Sequence, residues 1–319
     1  MCEFITAGGF AGQDLPEKLL QEGLLMRDAL LRDLSELGME IITTTDARLQ
    51  PNSHALSRPI AMADDAWQAW QSCMQQADAV WLIAPETGGI LSKLAQMAAL
   101  EGAWLLGCRP TEIEICSSKY QTYSHLSKAG VACVPSYTPE NWPRLPDTIY
   151  LAKPDDGAGC EDTWLFENVA DLERWLNGKL ERNYVIQPYL AGIAASLSCI
   201  MAGKTVLLSV NRQRVERQEN ALIFKGVSVN ALPELWQAAE KLVQQIAKTM
   251  PDLRGYVGID VIVQDGELLV LEINPRLTTS YAGLRASIGC NPAELILHIL
   301  ENPDFVPEEL TRKPVEIHV

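Results

Sequence analysis

Three oxygen-bearing side chains in the last third of the chain could hold a hard divalent cation. Asp260 lies inside the apolar run 255–264, Glu272 and Asn274 close the run 267–274, and Asp265-Gly266 separates the two. β-Branched and aliphatic residues on both sides of an Asp-Gly pair predict a β-hairpin. Alternation puts Val257, Ile259, Val261 and Val263 on one face of the first strand, and Tyr256, Gly258, Asp260 and Ile262 on the other. In the second strand Leu269, Leu271 and Ile273 separate in the same way from Leu268, Val270, Glu272 and Asn274. Whether the acids meet depends on loop parity, because a one-residue slip turns a whole strand's side chains over. A two-residue Asp-Gly turn in a regular ladder would part Asp260 from Glu272. A three-residue loop, with Gly266 in the left-handed region, unites all three and is the expected form. Ionised carboxylates among aliphatic neighbours need a partner, and an all-oxygen set suits Mg²⁺ better than zinc. The simpler alternative is a strand face turned to water.

Cations recur upstream. Ser117-Ser118 can cap a helix ending before Gly130, which sets Lys119 in its first turn, where a cation opposes the helix dipole. That position hints at an anion nearby, or is an exposed lysine of little consequence. Lys153 ends a strand and is followed by Asp155-Asp156-Gly157-Ala158-Gly159. A small glycine loop there lets backbone N–H groups approach phosphate oxygens. No GK[ST] follows, so it is not a Walker A loop. Gln187-Pro188-Tyr189-Leu190 is an extended segment whose proline blocks full use in a sheet. It could be an edge that reads an adenine ring through its main chain, or an ordinary linker. Arg212 and Arg214 could neutralise a transferring phosphoryl group or form surface ion pairs.

The elements that must position these groups fall into two sections. From the N-terminus, strands at 3–6, 39–43, 79–83 and 103–106 alternate with helices at 19–34, 66–76 and 91–99, arguing for a parallel α/β sheet of roughly 110 residues. Ligands sit beyond strand C-termini in such sheets, which singles out Gly8-Gly9 and the loop 85–89. Glu86 in the latter could bind a substrate ammonium or be a solvated acid. Arg109-Pro110 starts a second section. It holds strands at 148–153 and 164–166, a helix at 169–179, a hairpin of 196–202 with 205–211, an amphipathic helix at 236–250 and a last helix at 293–301. The tail beyond residue 303 shows no pattern.

With 319 residues, 47% hydrophobic, the chain can build two or three cores, and no segment approaches the roughly 18 apolar residues of a membrane span. A net charge of −15 without a basic stripe makes nucleic acid an unfavourable partner and a small molecule the better one. The N-terminus lacks a secretory pattern, so the cytoplasm is the default expectation. Cys2, Cys73, Cys108, Cys116, Cys133, Cys160, Cys199 and Cys290 form no CxxC pair and read as reduced, structural thiols.

Taken in order, Lys119, Lys153, Gly157-Ala158-Gly159, Gln187-Pro188-Tyr189-Leu190, Asp260 and Glu272-Ile273-Asn274-Pro275-Arg276 resemble the ATP-grasp superfamily. The resemblance implies a pre-ATP-grasp α/β domain over 1–108. A two-subdomain ATP-grasp fold would follow, 109–185 with the lysines and glycine loop and 186–319 with the hinge and hairpin. It implies an ATP-dependent ligase in which a substrate carboxylate attacks the γ-phosphate and an amine captures the acylphosphate. Asp260, Glu272 and Asn274 would hold Mg²⁺, which Mn²⁺ could replace. Lys119 and Lys153 would contact the α- and β-phosphates under the Gly157–Gly159 loop, and residues 187–190 would seat the adenine. Arg276, Lys153 and Arg212 would act at the reacting groups. Two departures stand out: Ala194 occupies the place of the usual ribose-binding acid, and Gln187 that of a frequent Glu. Ser209–Gln213 and Leu271–Leu284 resemble, more narrowly, the tyramine-glutamate ligase group of methanofuran-type cofactor synthesis. Partners would be a small carboxylate and an amine, and a homo-oligomer is compatible. The alternatives are an ATP-grasp kinase or carboxylase, or a nucleotide-binding regulatory subunit.

Overall fold

The structure, a computed structural model, describes residues 1–159, 162–179 and 183–319. Cys160 lies outside them. The first section runs β1 (Cys2–Glu3), α1 (Glu17–Ser35), β2 (Ile42–Asp46), β3 (Leu56–Ile60), α2 (Ala66–Met74), β4 (Ala79–Val80), β5 (Leu82–Ile83), α3 (Ile90–Leu100) and β6 (Trp104–Leu105). Strands joined through helices pair in parallel, as β1 does with β5, β2 with β3 and β4 with β6. Bonds from the Met1 ammonium to Ile42 O and from Asp46 N to Thr6 O, at 2.9 and 2.8 Å, tie the first strand's segment to β2. The strand expected over 3–6 ends at Glu3, whose own carboxylate takes the Thr6 N–H at 2.7 Å and turns the chain. Gly8-Gly9 is a packing element rather than a ligand loop. A Cβ would lie 2.7 Å from Ile60 at Gly8 and 2.5 Å from Phe4 O at Gly9.

The second section opens with a helix that the sequence reading lacked, α4 (Pro110–Ser117), where Pro110 sits in the first turn and its missing N–H is harmless. In α5 (Lys119–Lys128) the expected cap is present, Ser118 Oγ accepting the Gln121 N–H at 3.0 Å. Then come β7 (Tyr150–Pro154), β8 (Trp164–Phe166), α6 (Val169–Asn177), β9 (Tyr184–Pro188), β10 (Ile193–Ala202), β11 (Lys204–Gln218) and β12 (Ala221–Val229). The chain finishes with α7 (Trp236–Thr249), β13 (Gly255–Gln264), β14 (Glu267–Asn274), α8 (Tyr281–Ile288), α9 (Pro292–Glu301) and β15 (Val315–His318). Among the described residues no helix is long and apolar enough to cross a membrane.

These strands form one antiparallel sheet in the order β14-β13-β10-β11-β12-β8-β7-β9, with the unpatterned tail contributing β15 against β12. Residues 132–137 reach both edges: Val134 N donates to Val270 O of β14 and Tyr137 N to Ile186 O of β9, each at 2.9 Å. The sheet is thereby curled and its edge backbone groups are paired. Its convex side is covered by the α7 stripe of Ala239, Leu242, Val243 and Ile246, all buried against Leu197, Ile259 and neighbours. On the concave side α8 and α9 cover Ile200, Leu208 and Tyr256 with Tyr281, Leu284, Ile296 and Leu300, and the part they leave lines a cleft.

The hairpin that carries the acids departs from expectation and arrives at the same place. Gln264 pairs with Glu267, and Asp265 and Gly266 have φ of 50° and 83°, so the turn has two residues, the form Asp-Gly favours. The three-residue loop is not formed. Instead the register slips between Asp260 and Val261: Val261 pairs with Val270 and Asp260 with Glu272, leaving Leu271 as the extra residue of a β-bulge. The bulge restores the parity that the turn would have broken. It also corrects the faces, since Leu268 and Val270 join Ile273 in the core rather than standing beside Glu272.

Candidate active site

A cleft runs from the concave sheet to the first section, lined among others by Lys119, Lys153, Gln187, Asp260, Glu272 and Arg276. At its centre Lys119, far from Glu272 in sequence, puts its Nζ 3.2 Å from Glu272 Oε2 and also donates to Gly157 O. Lys119 is only 6% exposed, so it is neither a surface lysine nor a mere perturbation of a helix dipole. Asp260 Oδ1 accepts from Gln213 Nε2 at 2.9 Å, and Oδ2 from Asn274 Nδ2 at 3.2 Å. Gln213 was not singled out from sequence. It follows Asn211 at the two-residue spacing that returns a strand residue to the same face. Gly258, opposite Asn274, is required because a Cβ there would strike Thr278 at 2.5 Å.

Two acids in one buried place do not share their charge equally. Burial, and then the Glu272 charge, push Asp260 up to about 8. For Glu272 burial acts in the same direction but is outweighed by Lys119 and Lys153, which hold it below the ordinary carboxylate range. In the pH range near neutrality one carboxylate is ionised and its neighbour holds a proton. A carboxyl whose folded form binds protons more tightly than the unfolded chain contributes stability at low pH that is lost as pH rises toward its folded value. The metal-free protein is therefore expected to melt at lower temperature as pH goes from 5 to 8, and Asp260→Asn to flatten that slope. The Glu272 contribution has the opposite sign and lies below pH 4.5, outside that window. Parallel melting curves for the two proteins would remove the assignment.

The glycine loop closes one wall. Lys153, Gly157, Ala158 and Gly159 all line the cleft. Asp155 anchors the loop to α5 by accepting the Tyr120 N–H at 2.8 Å, and Asp156 anchors it to the first section through Gly88 N at 2.9 Å and Thr87 Oγ1 at 2.8 Å. The segment 187–190 also lines the cleft. Its first residues belong to a strand, so it is not a linker: β9 pairs with β7, Ile186 exchanges both backbone bonds with Tyr137, and Tyr189 N reaches Ile149 O at 2.8 Å. Ladder alternation then points the Pro188 carbonyl away from β7. Gln187 Nε2 donates to Ser136 Oγ at 2.7 Å, while its Oε1 is buried without a hydrogen-bond partner among the described residues. Ala194 lines the cleft as well.

The arginines separate. Arg276 lies in the cleft, and its Nη2 meets Glu86 Oε2 at 2.9 Å with both side chains nearly buried. Glu86 is thus not a solvated loop acid: one of its oxygens holds Arg276, and the other, Oε1, is buried without a hydrogen-bond partner among the described residues. Arg212 does not reach the cleft: strand alternation sets it on the face opposite Gln213, where it is exposed. Arg214 is an ion-pair partner of Glu316 and donates to Ile317 O, which fastens β15. A residue that the sequence reading missed is Glu22 of α1, which lines the cleft and accepts from Thr279 Oγ1 at 2.9 Å.

Acids that can take a divalent cation, lysines and a glycine loop that can take phosphates, and a strand edge beside them place this protein among the ATP-grasp enzymes, the class of C–N bond-forming ligases. The chain belongs to the ATP-grasp family: residues 116–280 match the ATP-grasp domain and residues 39–113 the pre ATP-grasp 3 domain. It is similar to the tyramine–L-glutamate ligase of Methanocaldococcus jannaschii, 27% identical over 309 residues that span 95% of this chain and 89% of the relative. The tyramine–L-glutamate ligase of Methanocaldococcus fervens is 31% identical over 239 residues, 75% of this chain and 70% of that protein. In fold it resembles the crystal structure of an ATP-grasp superfamily protein from Archaeoglobus fulgidus, with a TM-score of 0.74, 21% identity and coverage of 99% and 98% of the two chains.

Proposed function

We propose that the protein is an ATP-dependent carboxylate–amine ligase joining glutamate to an amine of the tyramine or tyrosine type. The observation that supports ATP dependence is the Lys119–Glu272 contact beside Asp260, where candidate phosphate-binding and cation-binding groups meet, and the choice of glutamate and amine rests on the similarity to the two tyramine–L-glutamate ligases. Two adjacent carboxylates, with the Asn274 amide beside them, fit a Mg²⁺ site of oxygen donors. Asp260, Glu272 and Asn274 would hold the ion, which supplies charge neutralisation on the ATP phosphates. Mn²⁺ has the same donor preference.

The chain's own residues then have distinct tasks. Lys119 and Lys153 neutralise phosphate oxygens, and the Gly157–Gly159 loop covers them and excludes water. Residues 187–190 seat the base, with the Pro188 carbonyl as a main-chain acceptor. Arg276, held by Glu86, orients the substrate carboxylate or the transferring phosphoryl group. The carboxylate attacks the γ-phosphorus and ADP leaves. The amine nitrogen then attacks the acyl carbon, losing a proton, and inorganic phosphate departs as the amide forms. Positioning accounts for most of the rate, since no protein nucleophile is used.

The test is incubation with ATP, Mg²⁺, L-glutamate and tyramine, following ADP and the product mass, alongside a panel of other amino acids and amines. The expected result is ADP and amide in equal amounts, and a hydroxamate when hydroxylamine replaces the amine. A phosphorylated or carboxylated small molecule would establish the kinase or carboxylase alternative. Absence of turnover with every acceptor would favour a regulatory subunit.

A further inference from the structure

Helix α1 turns Leu19, Glu22, Gly23 and Met26 toward the cleft, the spacing that places residues on one helical face. On a face otherwise suited to apolar packing, Glu22 is the exception. Its Oε2 is engaged by Thr279, but its Oε1 is buried and accepts no hydrogen bond from any described residue. A buried carboxylate oxygen left without a donor is costly, and such an atom in a binding cleft is explained if a ligand supplies the donor.

No described neighbour satisfies it. Arg276 gives Nη2 to Glu86 at 2.9 Å and Nη1 to Leu277 O at 3.1 Å, and its Nε, though buried, meets no acceptor among the described residues, Glu22 included. The other cleft acid of the first section, Glu3, is already saturated by Thr6 N, Thr6 Oγ1 and Ile5 N at 2.7, 2.6 and 3.3 Å. The glycine loop stops just short of Glu22, since a Cβ on Gly159 would lie 3.8 Å from its Oε1. Thus the open oxygen sits where α1, the segment after the metal-type hairpin and the phosphate-type loop converge. Ile5, Leu19, Met26 and Ile83 line the cleft from the same section.

We infer that Glu22 binds the primary ammonium group of a substrate, with Leu19 and Met26 against its hydrocarbon. The inference rests on the ligase reading for its choice of ligand. A primary ammonium carries its positive charge and N–H donors on one atom, which matches a single open carboxylate oxygen better than a planar guanidinium does. Two sources have this chemistry: the amine that is acylated, and the α-ammonium of an amino acid that supplies the carboxylate.

Calorimetric titration separates them. Wild type and Glu22→Gln, each with Mg²⁺ and the non-hydrolysable analogue AMP-PNP, are titrated with tyramine and separately with L-glutamate, then with a panel of primary amines. Glutamine keeps the shape and the Thr279 contact, so AMP-PNP affinity serves as the control for folding. The expected result is a loss of roughly 10- to 100-fold on one arm, the range of a charge-assisted hydrogen bond, with the other arm unchanged. Loss for tyramine assigns the acylated amine, and loss for glutamate assigns the α-ammonium. Glu22→Asp, which withdraws the carboxylate by one methylene, is expected to fall between the two proteins. Equal affinities in wild type and Glu22→Gln on both arms, or no binding of any panel member to the wild type, overturn the site. Amide formation with unchanged KM values in Glu22→Gln sinks the ammonium site and keeps the ligase. Glu22-dependent binding without any amide product does the reverse.

Discussion

Glu272→Gln is expected to lower substrate-dependent ADP release by about 10³-fold, while the protein still folds and melts cooperatively. Loss of one preorganised electrostatic group in a catalytic centre costs roughly 10²- to 10³-fold, and Glu272 stands at the upper end because two functions meet on it. Its carboxylate holds Lys119 at 3.2 Å and faces Asp260 across the bulge. Without its charge, Lys119 has no anionic partner among the described residues where its side chain is only 7% accessible, and the cation site loses its ionised member. Glutamine keeps the volume and one acceptor for the lysine, which is why the effect should appear in kcat more than in stability. Steady-state ADP release at saturating ATP, with a melting curve of each protein, is the measurement. Activity within ten-fold of wild type would show that Glu272 does not hold the reacting phosphates' counter-ion.

Asp33→Ala should have the largest effect on stability, about 3 kcal/mol or more, although Asp33 lies in α1 and touches no part of the cleft. Asp33 is fully buried. Its carboxylate receives Arg32 Nη2 at 2.9 Å, Tyr281 Oη at 3.1 Å and Arg285 Nη1 at 3.2 Å, and its backbone oxygen receives Asn291 Nδ2 at 2.8 Å. Three of those donors come from the C-terminal section, so this one residue fastens the first section to the end of the second. Burial, reinforced by the Asp33 charge, raises the Tyr281 hydroxyl well above its usual range. Alanine would strand that hydroxyl and leave Arg285 with Glu36 alone, where Arg285 is partly exposed. Chemical denaturation by urea gives the number. Because α1 also carries Glu22, Asp33→Asn should disturb substrate affinity more than ATP affinity. A loss below about 0.5 kcal/mol would mean that the interface is held by its apolar contacts alone.

Much of the site was readable before any coordinates because its parts are local. The hairpin about Asp265-Gly266, the Ser118 cap and the strand that carries Lys153 each depend on a few consecutive residues, and the structure has all three. The stripe Ala239, Leu242, Val243 and Ile246 likewise follows from helical period alone. The loop at Asp265-Gly266 is shorter than the sequence suggests: Asp260 and Glu272 do share a face, but the turn keeps the two-residue form that Asp-Gly prefers. The bulge at Leu271 unites them instead.

What the amino-acid sequence by itself determined was the set of groups and their local frames: acids on a hairpin, lysines at a helix start and a strand end, and small residues in a loop. What only the tertiary structure decided was which of them face one another. A bulge is a property of two paired strands, and neither strand alone specifies which residue is left over. Arg212 and Gln213 are neighbours in sequence, yet only the curl of the sheet makes the glutamine's side the inner one. Glu86 and Arg276, distant in the chain, form an ion pair, and Glu22 keeps an oxygen that no described residue satisfies. Charges compensate through space at a few ångströms, so the partner of a buried ion is fixed by packing rather than by its place in the chain.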